Sequence, residues 1–177
     1  LKSDVLLGEE MVFPLEEKQD FGRIAAQTAK QVIMQRIREA EKDSVMSEFG
    51  GKEGDIISGY VQKVEGGTVY LDFNRATGII SPQEQIPGER FARGSRIRAY
   101  LYQVEEGMRG IVLKLSRTHP KFLEKLFAYE SPEISSGIVE IKSVAREAGS
   151  RSKIAVATED SNIDPVGSCV GQRGVRV

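Results

Sequence analysis

Between Glu53 and Arg117 apolar residues recur at every second position in short runs, and this constrains the fold more than any other stretch of the chain. A period of two places alternate side chains on opposite faces of an extended strand. From Asp55 to Val64, Ile57, Gly59 and Val61 fall on one side, and Ile56, Ser58 and Tyr60 on the other. Gly66-Gly67 reads as a two-residue hairpin turn. Thr68 to Phe73 follows with Val69, Leu71 and Phe73 inward, and then a short strand from Gly78 to Ser81. A long connection carrying Pro82, Pro87 and Gly88 leads to strands at Ser95–Val104 and Gly110–Ser116, the last with Ile111, Leu113 and Leu115 inward. Short strands of this kind, with one long connection after the third, predict a small closed barrel of the OB type.

Outside the barrel the period becomes helical. Asp20 offers an N-cap for a long helix from Phe21 to about Phe49, with Ile24, Ala25, Ala29, Val32, Ile33, Ile37 and Ala40 on one face. Gln27, Lys30, Gln31, Gln35 and Arg38 face away, and Gly50-Gly51 ends the helix. The preceding stretch, Leu1 to Glu17, is acidic, irregular and interrupted by Pro14. Beyond the barrel, His119-Pro120 opens an amphipathic helix carrying Phe122, Leu123, Leu126 and Phe127, which Pro132 ends. Ile138–Ala145 and Arg151–Thr158 read as strands joined by a turn at Ala148-Gly149. Asp164 is then an N-cap and Pro165 a first helical residue, so Val166 to Val170 runs as a helix into Gly171-Gln172-Arg173-Gly174. That tetrad alone equally describes a helix C-cap with a glycine turn. The order helix, strand, strand, helix, G-x-x-G is what points to a type II KH module, a clamp for single-stranded RNA. Its loop lacks a Cβ at Gly171 and Gly174, so the backbone can lie against a strand while Arg173 reaches a phosphate.

The net charge of −1 includes no basic tail, so a nucleic-acid footprint has to come from charges gathered on one face. With Ile97, Ala99 and Leu101 inward, Arg96, Arg98, Tyr100 and Tyr102 face out of the barrel together, and Tyr60 and Tyr70 fall on outward positions. Cations interleaved with aromatic rings suit phosphates and bases; an ordinary solvated sheet would carry the same pattern. In the second module Arg151 and Lys153 share a strand face opposite Ile154 and Val156, and Arg176 follows the loop. A solvated charged edge is the alternative there. Catalysis finds little support. The single histidine, His119, suits capping or packing at a helix start, and the single cysteine, Cys169, suits a small buried thiol. One Cys and one His cannot build a zinc site, and no Walker or dinucleotide motif is present. No catalytic residue, metal or cofactor is therefore expected. One cysteine excludes an internal disulfide and fits a reducing compartment. With no apolar run of membrane-spanning length and no signal-peptide pattern, a cytoplasmic chain without membrane association is expected.

Three stretches carry a resemblance: Gly22-Arg23-Ile24-Ala25-Ala26-Gln27-Thr28-Ala29-Lys30-Gln31-Val32, Ile141-Lys142-Ser143-Val144-Ala145-Arg146-Glu147, and Asp164-Pro165-Val166-Gly167-Ser168-Cys169-Val170-Gly171. Together with their spacing they closely resemble the NusA family of bacterial transcription factors. The resemblance implies an α+β multi-domain chain. Residues 1–50 would be the remnant of a polymerase-binding N-terminal domain with its long helix, 51–117 an OB barrel of the S-one type, and 118–177 the first KH module, truncated after its G-x-x-G loop. The barrel departs from the wider S-one pattern, since Gly67-Thr68-Val69-Tyr70 and Ile79-Ile80-Ser81 stand where Gly-x-Phe and His-x-Ser are usual. Strong base stacking by the barrel is not implied. By resemblance the partners are RNA polymerase, single-stranded nascent RNA and other antitermination factors. The function would be modulation of pausing, termination and antitermination without catalysis. The RNA-binding residues would be Gly171, Gln172, Arg173, Gly174, Arg151, Lys153, Arg96, Arg98 and Tyr100. The chain begins with Leu1 and stops inside a motif, so it is expected to be a piece of a longer protein. Its terminus is expected to fray and its loop to bind RNA poorly. An RNA-decay subunit of the exosome-cap kind carries the same two modules, and the stretch from Gly22 to Val32 argues against it. A hydrolase built on the barrel is disfavoured by the poverty of catalytic residues.

Overall fold

Alternation in the sequence becomes a closed barrel. In the computed structural model, which describes residues 22–107 and 110–177, β1 (Ile56–Glu65), β2 (Thr68–Asp72), β3 (Thr77–Ile80), β4 (Arg96–Gly107) and β5 (Gly110–Ser116) close in the order β1-β2-β3-β5-β4. All neighbours are antiparallel except β3 and β5, which run parallel across the long connection. Gly66 and Gly67 have φ of 57° and 79°, the pair of positive angles that a tight hairpin matched to strand twist requires. Val61, Val69, Leu71, Ile80, Ala99, Leu101, Leu113 and Leu115 fill the interior. Two interior positions are glycine for reasons of space. A Cβ at Gly59 or Gly78 would sit 2.7 or 2.6 Å from the Phe73 ring, which occupies the room both leave.

The long helix α1 spans Arg23–Gly50, and the chain divides into two units between Glu39 and Ala40. In the first unit Ile24, Val32, Ile33 and Ile37 are exposed, and Gln35 and Arg36 both bond to Glu39. The proposed N-cap Asp20, the helical start at Phe21 and the acidic stretch Leu1–Glu17 lie outside the described residues. In the second unit the last turns of α1 bury Val45 and Phe49 in the barrel core, with Phe49 edge-on to Phe73 at 5.9 Å. Arg75 fixes the same turns from outside, bonding Glu48 at 2.6 Å and Ser44 at 3.3 Å.

After the barrel come α2 (Pro120–Glu130), α3 (Pro132–Ser135), β6 (Val139–Glu147), β7 (Arg151–Thr158) and α4 (Pro165–Val170). Pro132 not only ends a helix but starts one, standing at the first position of α3 where its missing N–H costs nothing. His119 caps α2, its Nδ1 accepting from the Lys121 amide at 3.1 Å. β6 and β7 form an antiparallel pair with a bulge between Ile141 and Ser143. Phe122, Val139, Ser131 and Cys169 are the buried residues of this module. The junction to the barrel is dense. Ser116, fully buried, accepts from the amides of Thr118 and His119, while Arg117 makes a paired contact with Glu89 at 2.7 and 2.5 Å and also donates to the Arg98 carbonyl. Arg117 and Arg146 flank the Phe122 ring, each 5.4 Å from its centre. The hairpin tip reaches the barrel as well, since a Cβ at Gly149 would lie 2.7 Å from Ile86.

Candidate nucleic-acid interface

The loop following α4 is built from its N-terminal side. Asp164 accepts from the Val166 amide at 3.0 Å and Pro165 takes the first helical position, which starts a short helix without a long nucleus. Gly171 then turns the chain out with φ 72° and ψ 174°, a region only glycine adopts readily. Gln172–Gly174 forms one tight 3-10 turn in which Arg173 is left-handed at φ 56° and ψ 23°. Gly171, Gly174, Val175 and Arg176 donate their amides within the loop and to α4, whereas those of Gln172 and Arg173 donate to no described residue. Both of these side chains are exposed. Two neighbouring amides without a described acceptor therefore adjoin an exposed arginine side chain.

Arg176 is not part of that donor set. Its guanidinium bonds the Ser168 carbonyl at 2.6 Å and Glu133 of α3 at 3.0 Å, and its amide bonds the Val170 carbonyl at 3.2 Å. The terminus, expected from the sequence to fray, carries these three bonds in the structure. An arginine two residues past the loop finds acceptors on α3 and α4 and holds the segment down. Glu133 also accepts from the buried Ser131 hydroxyl at 2.9 Å. Its own backbone amide, then Ser131 and Arg176, hold its carboxyl below the usual carboxylate range. No sequence signal links Glu133 to Arg176, because the two meet only through tertiary packing.

On the neighbouring hairpin Arg151 and Lys153 are both exposed. Arg151 pairs with Glu147 at 3.3 Å, while Lys153 has no ion pair among the described residues.

On the barrel, Arg96 and Arg98 are exposed as parity requires, and they lie opposite Tyr60 and Ser58 of β1. Arg96 donates to Ser58 Oγ at 3.1 Å, and Tyr60 is 57% exposed beside it. Tyr100 is the exception among the residues grouped on this face. It points out of the barrel, but only 5% of it is accessible, because the His119 ring stacks on it at 4.8 Å and 20°. The start of the second module covers that part of the barrel, so Tyr100 has no free ring face for a base. Tyr102 is partly exposed, and burial followed by nearby Glu84 pushes its hydroxyl up. Arg93 is a residue that parity did not select. Gly94 and Ser95 pair with Val61 and so extend the strand edge back towards exposed Arg93, whose signal in the sequence was the arginine spacing at 90, 93, 96 and 98.

Cys169 is buried, and that burial, followed by the charge of Glu133, pushes its thiol up. Among the described residues no His, Cys, Asp and Glu cluster could hold a metal ion. No helix among them is long and apolar enough to cross a membrane.

Comparison with known proteins adds independent findings. Residues 117–177 match the NusA-like first KH domain, and residues 1–43 match the NusA N-terminal domain. The transcription termination/antitermination protein NusA of Bacillus subtilis (strain 168) is 51% identical over 158 residues, covering 89% of this chain and 43% of that protein. Its namesake in Thermus thermophilus is 41% identical over 175 residues, covering 98% of this chain and 45% of the relative. That of Rickettsia prowazekii is 49% identical over 158 residues, covering 89% and 31%. The chain thus spans less than half the length of these curated relatives.

Proposed function

This chain belongs to the NusA family, and on that premise we propose that it is an RNA-binding part of a transcription termination and antitermination factor. The observation that carries the reading is the exposed loop at Gly171–Gly174, with two unpartnered amides and the free Arg173 beside them. A nucleotide backbone would lie across Gly171 and Gly174 with a phosphate on the Gln172 and Arg173 amides. Arg151 and Lys153 supply charge on the adjoining hairpin, and Arg96 and Arg98 supply it on the barrel, with Tyr60 as a stacking surface. The factor acts by holding nascent RNA and RNA polymerase in one arrangement, alone or with other antitermination factors, in the cytoplasm and with no chemistry of its own. Residues 1–50 would serve polymerase, 51–117 the barrel contact and 118–177 the clamp. The relatives named above are transcription factors, which leaves the RNA-decay alternative without a specific observation in its favour.

An aspartate at Gln172 tests the clamp directly. Its carboxylate would stand where the phosphate sits, while an exposed position in a turn tolerates the change. Fluorescence anisotropy with a labelled single-stranded RNA should report at least about tenfold weaker binding for Gln172→Asp. Unchanged affinity would remove the loop from the account. Retention on immobilised RNA polymerase, with and without RNA, separates polymerase contact from RNA contact.

A further inference from the structure

The G-x-x-G loop is held in shape by a side chain that is not in it. The Arg176 guanidinium bridges the Ser168 carbonyl of α4 and the Glu133 carboxylate of α3, and Glu133 is itself oriented by the fully buried Ser131 hydroxyl. The aliphatic stem of Arg176 crosses the loop to get there. A Cβ built on Gly171 would lie 2.9 Å from Arg176 Cγ and 3.0 Å from Cδ, closer than real carbons approach. The first glycine of the tetrad therefore leaves room for this arginine as well as adopting the unusual backbone angles. Both bonds come from one nitrogen of the guanidinium, Nη1, which joins the α4 carbonyl and the α3 carboxylate at a single point. Glu133 and Arg176 are each about one-third exposed or less, so their contact is shielded more than a surface pair.

We infer that Arg176, clamped by Glu133 and Ser131, is a positioning residue for the RNA-binding loop, fixing the turn so that the Gln172 and Arg173 amides point outward together. This rests on the proposal that the loop binds RNA. Without the latch the two free amides would sample many directions, and binding would have to pay for ordering them.

The test uses the full chain with Arg176→Met, which keeps the stem, Arg176→Lys, which keeps the charge, and Glu133→Gln, which keeps the shape. Amide hydrogen exchange is read at Gly174 and Arg176, whose N–H groups bond within the loop and to α4, with the barrel amides of Leu71 and Leu113 as the control for folding. Anisotropy with a single-stranded RNA is read in parallel, and Gln172→Asp serves as the independent check on the clamp. The inference predicts exchange at Gly174 and Arg176 faster by about tenfold in Arg176→Met and Glu133→Gln, with barrel exchange unchanged. It predicts RNA binding weakened by a similar factor, and Arg176→Lys falling between. Unchanged loop exchange in both variants overturns the latch. Faster exchange with unchanged RNA affinity, in a chain where Gln172→Asp does weaken binding, overturns the positioning role alone. If Gln172→Asp has no effect either, the clamp reading itself has failed and the positioning role falls with it.

Discussion

Gly171 and Gly174 both carry positive φ, yet they are constrained differently. Gly171 sits at φ 72° and ψ 174° with Arg176 against its missing Cβ, whereas at Gly174 the nearest atom to such a Cβ is 3.8 Å away. Gly171→Ala should therefore cost about 1–3 kcal/mol in local backbone strain, and Gly174→Ala about 1–2 kcal/mol from the left-handed conformation alone. Loss of exchange protection at the Gly171 and Gly174 amides, larger in the first variant, is the measurement. On the barrel the relevant residues are Arg96 and Arg98, exposed side by side on β4 with no acidic partner among the described residues. Replacing both by Ala should lower the salt slope of RNA binding by about 1.4, at about 0.7 per phosphate contact on a single strand. A slope that does not move in an affinity titration from low to high salt would place the RNA elsewhere. Alternation made these two arginines legible from sequence, since parity is enough to say which way a strand side chain points. Parity also placed Tyr100 on the outer side, and there it is. Alternation cannot tell that another module lies on that side, and His119 closes the ring off.

Elements were legible where a local cause makes them. The hairpin at Gly66-Gly67, the cap at Asp164, and strand β5 from Gly110 to Ser116 all follow from neighbours in the sequence. Helix α3 was not, because a proline after a helix is a stop signal in sequence and equally a start at the first position of the next one. The small helix matters because it carries Glu133. Its carboxyl is held below the ordinary range by its own backbone amide, Ser131 and Arg176. A depressed folded-state value contributes stability that is fully present above the unfolded carboxylate range and is lost as pH falls through the folded value. The stability difference between the parent chain and Glu133→Gln should therefore be largest near neutral pH and shrink on acidification. Urea unfolding of the second module, followed by Tyr129 or Phe122 resonances at several pH values, checks the sign. A difference that grows as pH falls would mean that Glu133 is not stabilised as an anion.

At the scale of the whole second unit, the barrel and the module that follows it are joined by side chains far apart in sequence. Arg117 grips Glu89 and the Arg98 carbonyl, Thr118 donates to Glu84 at 3.0 Å, Tyr100 stacks on His119, and Arg146 donates to the His119 carbonyl at 3.1 Å. None of these contacts was legible beforehand, because periodicity describes an element and not what it meets. They bear on the proposal, since Arg98 belongs to the candidate RNA face and its carbonyl is tied to Arg117 at the start of the second module. The two candidate surfaces are thus parts of one folded unit and should respond to one ligand. The central claim, which replaces the expectation that the loop binds RNA poorly, is the proposal that single-stranded RNA binds this chain through the Gly171–Gly174 loop and the Arg96 and Arg98 face of the barrel. Backbone amide NMR shifts of the full chain, recorded while a short single-stranded RNA is added, test it most directly. The account predicts the largest changes at Gln172 and Arg173, accompanying changes at Lys153, Arg96 and Arg98 with the same midpoint, and none at the core residues Leu71 and Leu113. Shifts that leave the loop untouched, or that appear there and on the barrel with separate midpoints, would contradict it.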